Sequence, residues 1–158
     1  MTAKREAAEL HLPWWVQPLN RVVLALNGVG VPVPGAHVLR MKGRRTGKVR
    51  NVVITPFSHA GQRYVIVGIP GSAWTANVRP TGTAQLLHGK NVTAVRLTEV
   101  TDDDEKRRVL RAYPSIQPLG VYPFRIMGHV RSSDPDEWAR AASKVELFRI
   151  DPAGSAGM

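Results

Sequence analysis

The chain has 158 residues, 43% hydrophobic and 22% charged, a size and balance that fit one globular domain burying roughly 68–70% of its unfolded surface and exclude a disordered protein. It has no cysteine, which removes disulfides, thiolate metal sites and a cysteine nucleophile. Net charge is +10, yet residues 10–98 hold no Asp or Glu against 11 Lys and Arg, so neither a carboxylate pair nor an oxygen-rich calcium or magnesium cage can form there.

Between Trp14 and Asn27, Trp15, Leu19, Val22, Val23 and Leu26 recur at helical spacing, with Pro13 before and Gly28 after. Val29–Gly35 is a Pro/Gly connector. Ala36–Lys42, Val49–Phe57 and Gln62–Ile69 then read as strands, joined by turns at 43–48 and 58–61. Ser72 caps a short helix to Arg79, closed by Pro80. Thr83–Leu87 and Asn91–Leu97 form a hairpin at His88-Gly89-Lys90. Thr101 and four acids open a helix running to Tyr113, before Pro114. An irregular stretch, a helix over Trp138–Ser143 and a strand over Val145–Ile150 complete the order.

Six short, mostly antiparallel strands with helices between and around them predict a mainly β, α+β protein: a small barrel or sheet in one domain, 1–158. Its parts are an N-terminal helix and connector (1–35), the barrel (36–150) and a frayed tail (151–158). No apolar run approaches the ~18 residues of a membrane span, and Met1–Leu10 lacks a signal-peptide pattern, so a cytoplasmic location is expected. Trp14 and Trp15 beside basic residues make peripheral contact with an anionic membrane the minority alternative.

A cationic body attracts anions: nucleic acid, a membrane surface, or a phosphorylated or carboxylated small ligand. The densest signal is Gly43-Arg44-Arg45-Thr46-Gly47-Lys48-Val49-Arg50. Its glycines permit a tight turn, Thr46 adds a hydroxyl, and guanidinium groups fork onto phosphate oxygens. A solvated hairpin would carry the same charges, and the spacing is not that of a P-loop. Trp74 and Asn77 share one face of the Ser72–Arg79 helix, where an aromatic wall and an amide suit a heteroaromatic ring; a core tryptophan and a capping asparagine are the plainer alternative. The five histidines show no metal-binding spacing, so no metal is expected, and His59 and His88 sit in predicted exposed turns.

The basic GRRTGKVR turn, the Val/Ile-rich strands and then WTANV resemble the deazaflavin-dependent nitroreductase family, split β-barrels related to the flavin mononucleotide-binding oxidoreductases. The resemblance covers about Pro34 to Leu97. It implies a split β-barrel that binds reduced coenzyme F420, with FMN as the alternative cofactor, and passes a hydride to a small acceptor such as a quinone, enone or nitro compound. By position, Gly43, Arg44, Arg45, Thr46 and Arg50 would hold the phosphate. Asn51, Val52, Val53, Ile54, Gly68, Ile69, Pro70, Gly71, Trp74, Thr75, Ala76 and Asn77 would line the ring. Ile69-Pro70-Gly71 replaces a common serine-lysine-glycine loop, and Thr75 a common aromatic. Tyr113, Tyr122 and Trp138 are candidates for the tyrosines that shape some members' substrate pocket. The expected assembly is a monomer or homodimer. A basic nucleic-acid barrel is disfavoured because Arg40–Arg50 holds no aromatic for base stacking; a non-catalytic cofactor carrier is the other alternative.

Overall fold

The computed structural model describes residues 16–28, 30 and 36–153. They form a mixed α+β fold of split-barrel architecture, with seven strands hydrogen-bonded in the order β2-β1-β5-β6-β7-β4-β3. The strands are β1 (His37–Lys42), β2 (Val49–Ile54), β3 (Phe57–His59), β4 (Gln62–Val67), β5 (Thr83–His88), β6 (Asn91–Glu99) and β7 (Glu146–Pro152). The chain divides into two compact units. Of the described residues, the aromatic unit comprises Phe57–Pro70 and Glu99–Phe148, and the cleft unit comprises those of 16–56, Gly71–Thr98 and 149–153.

In the cleft unit β1 pairs antiparallel with β2, Val38 opposite Val53 and Lys42 opposite Val49. On its other side β1 pairs with β5, which turns back into β6 at Gly89-Lys90. Val38, Leu39, Leu86, Leu87, Val95 and Leu97 are buried in the core, each such burial contributing about 1.5–3 kcal/mol. Helix α1 (Val16–Gly28) precedes the sheet. Its predicted apolar face is only partly covered: Val23 is buried, whereas Val22 and Leu26 are exposed. Trp14 and Trp15, and with them the membrane alternative, lie outside the described residues, as does most of the connector. Helix α2 (Ala73–Val78) packs on β1 through buried Thr75 and Val78.

The aromatic unit contains α3 (Asp103–Ile116), α4 (Val121–Ile126) and α5 (Pro135–Arg140). Tyr113 sits at the centre of a ring cluster, its centroid 4.9 Å from Phe57, 5.0 Å from Trp138 and 5.8 Å from Phe124. The cap of α3 is Asp102, which accepts from the Asp104 N–H at 3.3 Å, one residue beyond the expected Thr101.

Several elements depart from expectation. The run Val49–Phe57 breaks at Thr55-Pro56, and Phe57 begins β3, because proline has no N–H for a continuing ladder. This makes seven strands, not six. Helix α3 continues through Pro114 to Ile116; the missing bond falls in its last turns, where buried Pro114 packs on the core. The stretch expected to be irregular holds a 3-10 turn (Pro118–Gly120) and α4, whose Pro123 lies in the first turn, where N–H groups have no intrahelical partner. Helix α5 starts at Pro135 rather than Trp138, capped by Asp134 accepting from the Asp136 N–H at 3.2 Å. The last strand runs to Pro152, into the predicted tail; residues 154–158 lie outside the described residues.

Candidate functional site

The six residues between β1 and β2 close on themselves. The Gly43 N–H donates to the Lys48 carbonyl at 2.8 Å, and the Gly47 N–H to the Gly43 carbonyl at 2.9 Å. Gly47 takes φ +70°, which favours glycine. Both glycine amides are therefore used inside the turn. Thr46 Oγ1 accepts from the Lys48 N–H at 3.3 Å, leaving its O–H to donate outward. The N–H groups of Arg45 and Thr46 form no hydrogen bond among the described residues.

The turn is latched to α2. Asn77 Oδ1 accepts from the Arg44 N–H at 3.2 Å and from Arg44 Nη1 at 2.9 Å. With its oxygen held twice, the Asn77 amide nitrogen is the outward end, and it has no partner among the described residues. Trp74 and Asn77 are three residues apart and share a helix face.

Turn, strand and helix enclose a cleft of about 500 Å³. Its walls include Gly43, Arg44, Arg45, Thr46, Arg50, Asn51, Val52, Trp74 and Asn77. Asn51 accepts from Arg40 Nε at 3.2 Å. No carboxylate is paired with Arg44, Arg45 or Arg50 among the described residues, so their charge is available to an anionic ligand. The cleft also takes in Met41 and Ala73, which the sequence reading missed. Ala73 lies four residues before Asn77 on the same helix face, a spacing that marks it in the sequence.

Other expected site residues are not among the walls of this cleft. Ile54 is buried in the core and Val53 is half-buried opposite Val38. Thr75 is fully buried, its hydroxyl donating to the Ser72 carbonyl at 2.9 Å. Ser72 itself makes no side-chain cap bond; the Ala76 N–H reaches its carbonyl instead. Gly71, at φ +75°, leads into α2. Gly68, Ile69 and Pro70 belong to the aromatic unit, where the Gly68 carbonyl accepts from His129 Nε2 at 2.6 Å. Tyr113 and Trp138 are core residues there, whereas Tyr122 is exposed. His88 is not an exposed turn residue: it ends β5, half-buried, and stacks on His37 with centroids 4.3 Å apart. His59 is half-buried at the end of β3. Among the described residues no helix is long and apolar enough to cross a membrane.

The seven-stranded sheet is that of a split-barrel protein. Over residues 15–126 the chain matches the F420H(2)-dependent quinone reductase family, and it belongs to that family. Among solved structures, one described as a domain-swapped dimer shares 17% identity at TM-score 0.53, over 87% of this chain and 97% of that one. A conserved hypothetical protein from Mycobacterium tuberculosis shares 11% identity at TM-score 0.50, over 84% and 79%. A structure described as an F420-H2 dependent reductase shares 15% at TM-score 0.47, over 75% and 95%. At these identities the likeness is one of fold. No curated protein matches the chain.

Proposed function

We propose that the protein is a deazaflavin-dependent reductase, passing a hydride from reduced coenzyme F420 to an electron-poor acceptor such as a quinone, enone or nitro compound. The observation that carries this reading is the Arg44–Asn77 latch. It joins a carboxylate-free cationic turn to the helix bearing Trp74, around one cleft. The residues fit the cofactor. Arg44, Arg45 and Arg50, the amides of Arg45 and Thr46 and the Thr46 hydroxyl would hold the phosphate. The Asn77 amide nitrogen would donate to a ring carbonyl, and Trp74 would wall the ring. When bound, the cofactor supplies the hydride; the protein contributes orientation and electrostatics. Membership of the quinone reductase family supports the same assignment, and the dimeric structure of similar fold makes a homodimer the assembly to look for.

The test is a titration with coenzyme F420 and, separately, with FMN, followed by fluorescence quenching. Tighter binding of the deazaflavin is expected; equal affinity, or no binding of either, overturns the reading. Steady-state oxidation of the reduced cofactor with a quinone panel then separates reductase from carrier, a carrier showing binding without turnover.

A further inference from the structure

Two asparagines line the cleft, and each meets an arginine through its oxygen. Asn77 Oδ1 accepts from Arg44 Nη1 at 2.9 Å, and Asn51 Oδ1 accepts from Arg40 Nε at 3.2 Å. Unlike Arg44, Arg40 is not a wall of this cleft. It stands directly opposite Asn51 in the β1–β2 ladder, where facing residues approach to about 4.5–5.5 Å at Cβ. We propose that Arg40 is a positioning residue. It fixes the Asn51 amide so that the nitrogen is the end offered to the cleft, and the two arginine-held amides together select a ring edge that carries carbonyl oxygens. This rests on the function proposed above, whose cofactor ring has such an edge.

The chemistry of the pair permits one orientation. A guanidinium has five N–H donors and no acceptor. Turning the Asn51 amide over would set its NH2 group against Arg40 Nε, donor to donor, and forfeit a charge-assisted bond. The nitrogen is therefore the unspent end, and it has no partner among the described residues. Other polar side chains of the cleft have the same bias. Arg44, Arg45 and Arg50 can only donate, and the Thr46 oxygen already accepts from the Lys48 N–H at 3.3 Å. A ligand edge of carbonyl oxygens meets donors here. An amino group in the same place would meet donors too, and would bear the desolvation cost of an unpaired N–H.

The experiment is a double-mutant cycle on coenzyme F420 affinity in the full-length protein, using Arg40→Met, Asn51→Ala and the two combined. Asn51→Ala removes one neutral hydrogen bond, so affinity should fall about 3- to 10-fold. Arg40→Met frees the amide to turn and also removes a charge, so its loss has two parts. The part that acts through Asn51 should vanish in the double variant: Arg40→Met should cost at least about 2-fold less in the Asn51→Ala background than in the wild type. Arg40→Gln offers the Asn51 oxygen a neutral N–H and should bind more tightly than Arg40→Met. Asn51→Asp keeps an oxygen for Arg40 but trades the donating nitrogen for an acceptor, so it should bind no better than Asn51→Ala. Losses that simply multiply in the double variant overturn the positioning role, and so does Arg40→Gln binding no tighter than Arg40→Met. Wild-type affinity in Asn51→Asp overturns it as well, and that result can be read even if Arg40→Met fails to fold. Each of these outcomes leaves the function proposed above intact. Failure of the wild type to bind the cofactor overturns both.

Discussion

The two units handle charge in opposite ways. Among the described residues the aromatic unit has nine basic and nine acidic residues, while the cleft unit has eleven basic residues against Asp151 alone. Polar groups in the aromatic unit are answered from within. Arg107 meets Asp103 at 2.8 Å and Arg111 meets Asp136 at 3.0 Å. The Glu137 carboxylate accepts from the Arg131 N–H at 2.9 Å and the Ser132 N–H at 3.0 Å, contacts that hold it below the usual carboxylate range. In the cleft unit the Arg45 and Thr46 amides, the Asn77 amide nitrogen and three arginines are left for something else to answer. One unit is finished by folding; the other, on the function proposed above, would be finished by a ligand. Stability and recognition should therefore respond to different substitutions.

The largest effect should come from Trp138→Ala in the aromatic unit. The indole is fully buried against Tyr113 and Phe124, and its Nε1 donates to the Ser132 carbonyl at 3.0 Å. Removing such a ring typically costs ~3–5 kcal/mol, to be read from denaturant unfolding. A loss under ~1 kcal/mol would break the division, because the ring cluster would not be what holds that unit. Arg44→Ala is the counterpart. A charged hydrogen bond to phosphate is worth ~1.5–3 kcal/mol, so deazaflavin affinity should fall about 10- to 150-fold. The exposed side chain contributes little to folding, and Asn77 keeps the Arg44 backbone bond, so the melting temperature should hardly move. Lysine at this position should restore only part of the affinity, lacking the fork. Unchanged affinity with the fold intact would mean that the turn is a solvated hairpin.

The same contrast explains what the sequence discloses. Runs rich in Val, Ile and Leu, bounded by turn residues, made β1, β2, β4, β5 and β6 legible. The turn between β1 and β2 was legible because Gly43 and Gly47 punctuate a run of cations between two Val/Ile-rich strands. The turn into β4 was legible at 58–61, but β3 before it was hidden, because Ser58 and His59 read as part of the turn. The two residues between β3 and β4, Ala60 and Gly61, both take positive φ, and alanine is not a residue that signals such a turn. Prolines misled in both directions: Pro56 ends a strand that read as continuous, whereas Pro114 sits buried inside a helix and Pro123 in the first turn of one, where its missing N–H costs no helical bond. Asp134-Pro135 with two following acids is a helix start that composition did display and the reading passed over. The latch itself was not legible, since Arg44 and Asn77 are 33 residues apart and only the fold brings them together.

The smallest and most local test uses pH, and it concerns the closed unit. Burial pushes the Tyr113 hydroxyl up to about 12 from an ordinary 10.0, since the phenolate would have to form among Phe57, Phe124 and Trp138. Gly120 lies directly against this hydroxyl, so any Cβ there would collide with it. Because the folded state holds the proton more tightly than the unfolded state, this group's contribution is fully present below about pH 10. It is lost as pH rises toward the folded value near 12, where unfolding lets the phenol ionise. Wild-type stability should therefore drop between pH 10 and pH 12. Tyr113→Phe keeps the ring contacts and removes the proton. It should lose little at neutral pH, and its stability should decline less steeply over that alkaline interval. Parallel wild-type and variant curves from denaturant midpoints taken across the interval would show that water reaches the hydroxyl, and the aromatic unit would then be more open than its ring packing implies.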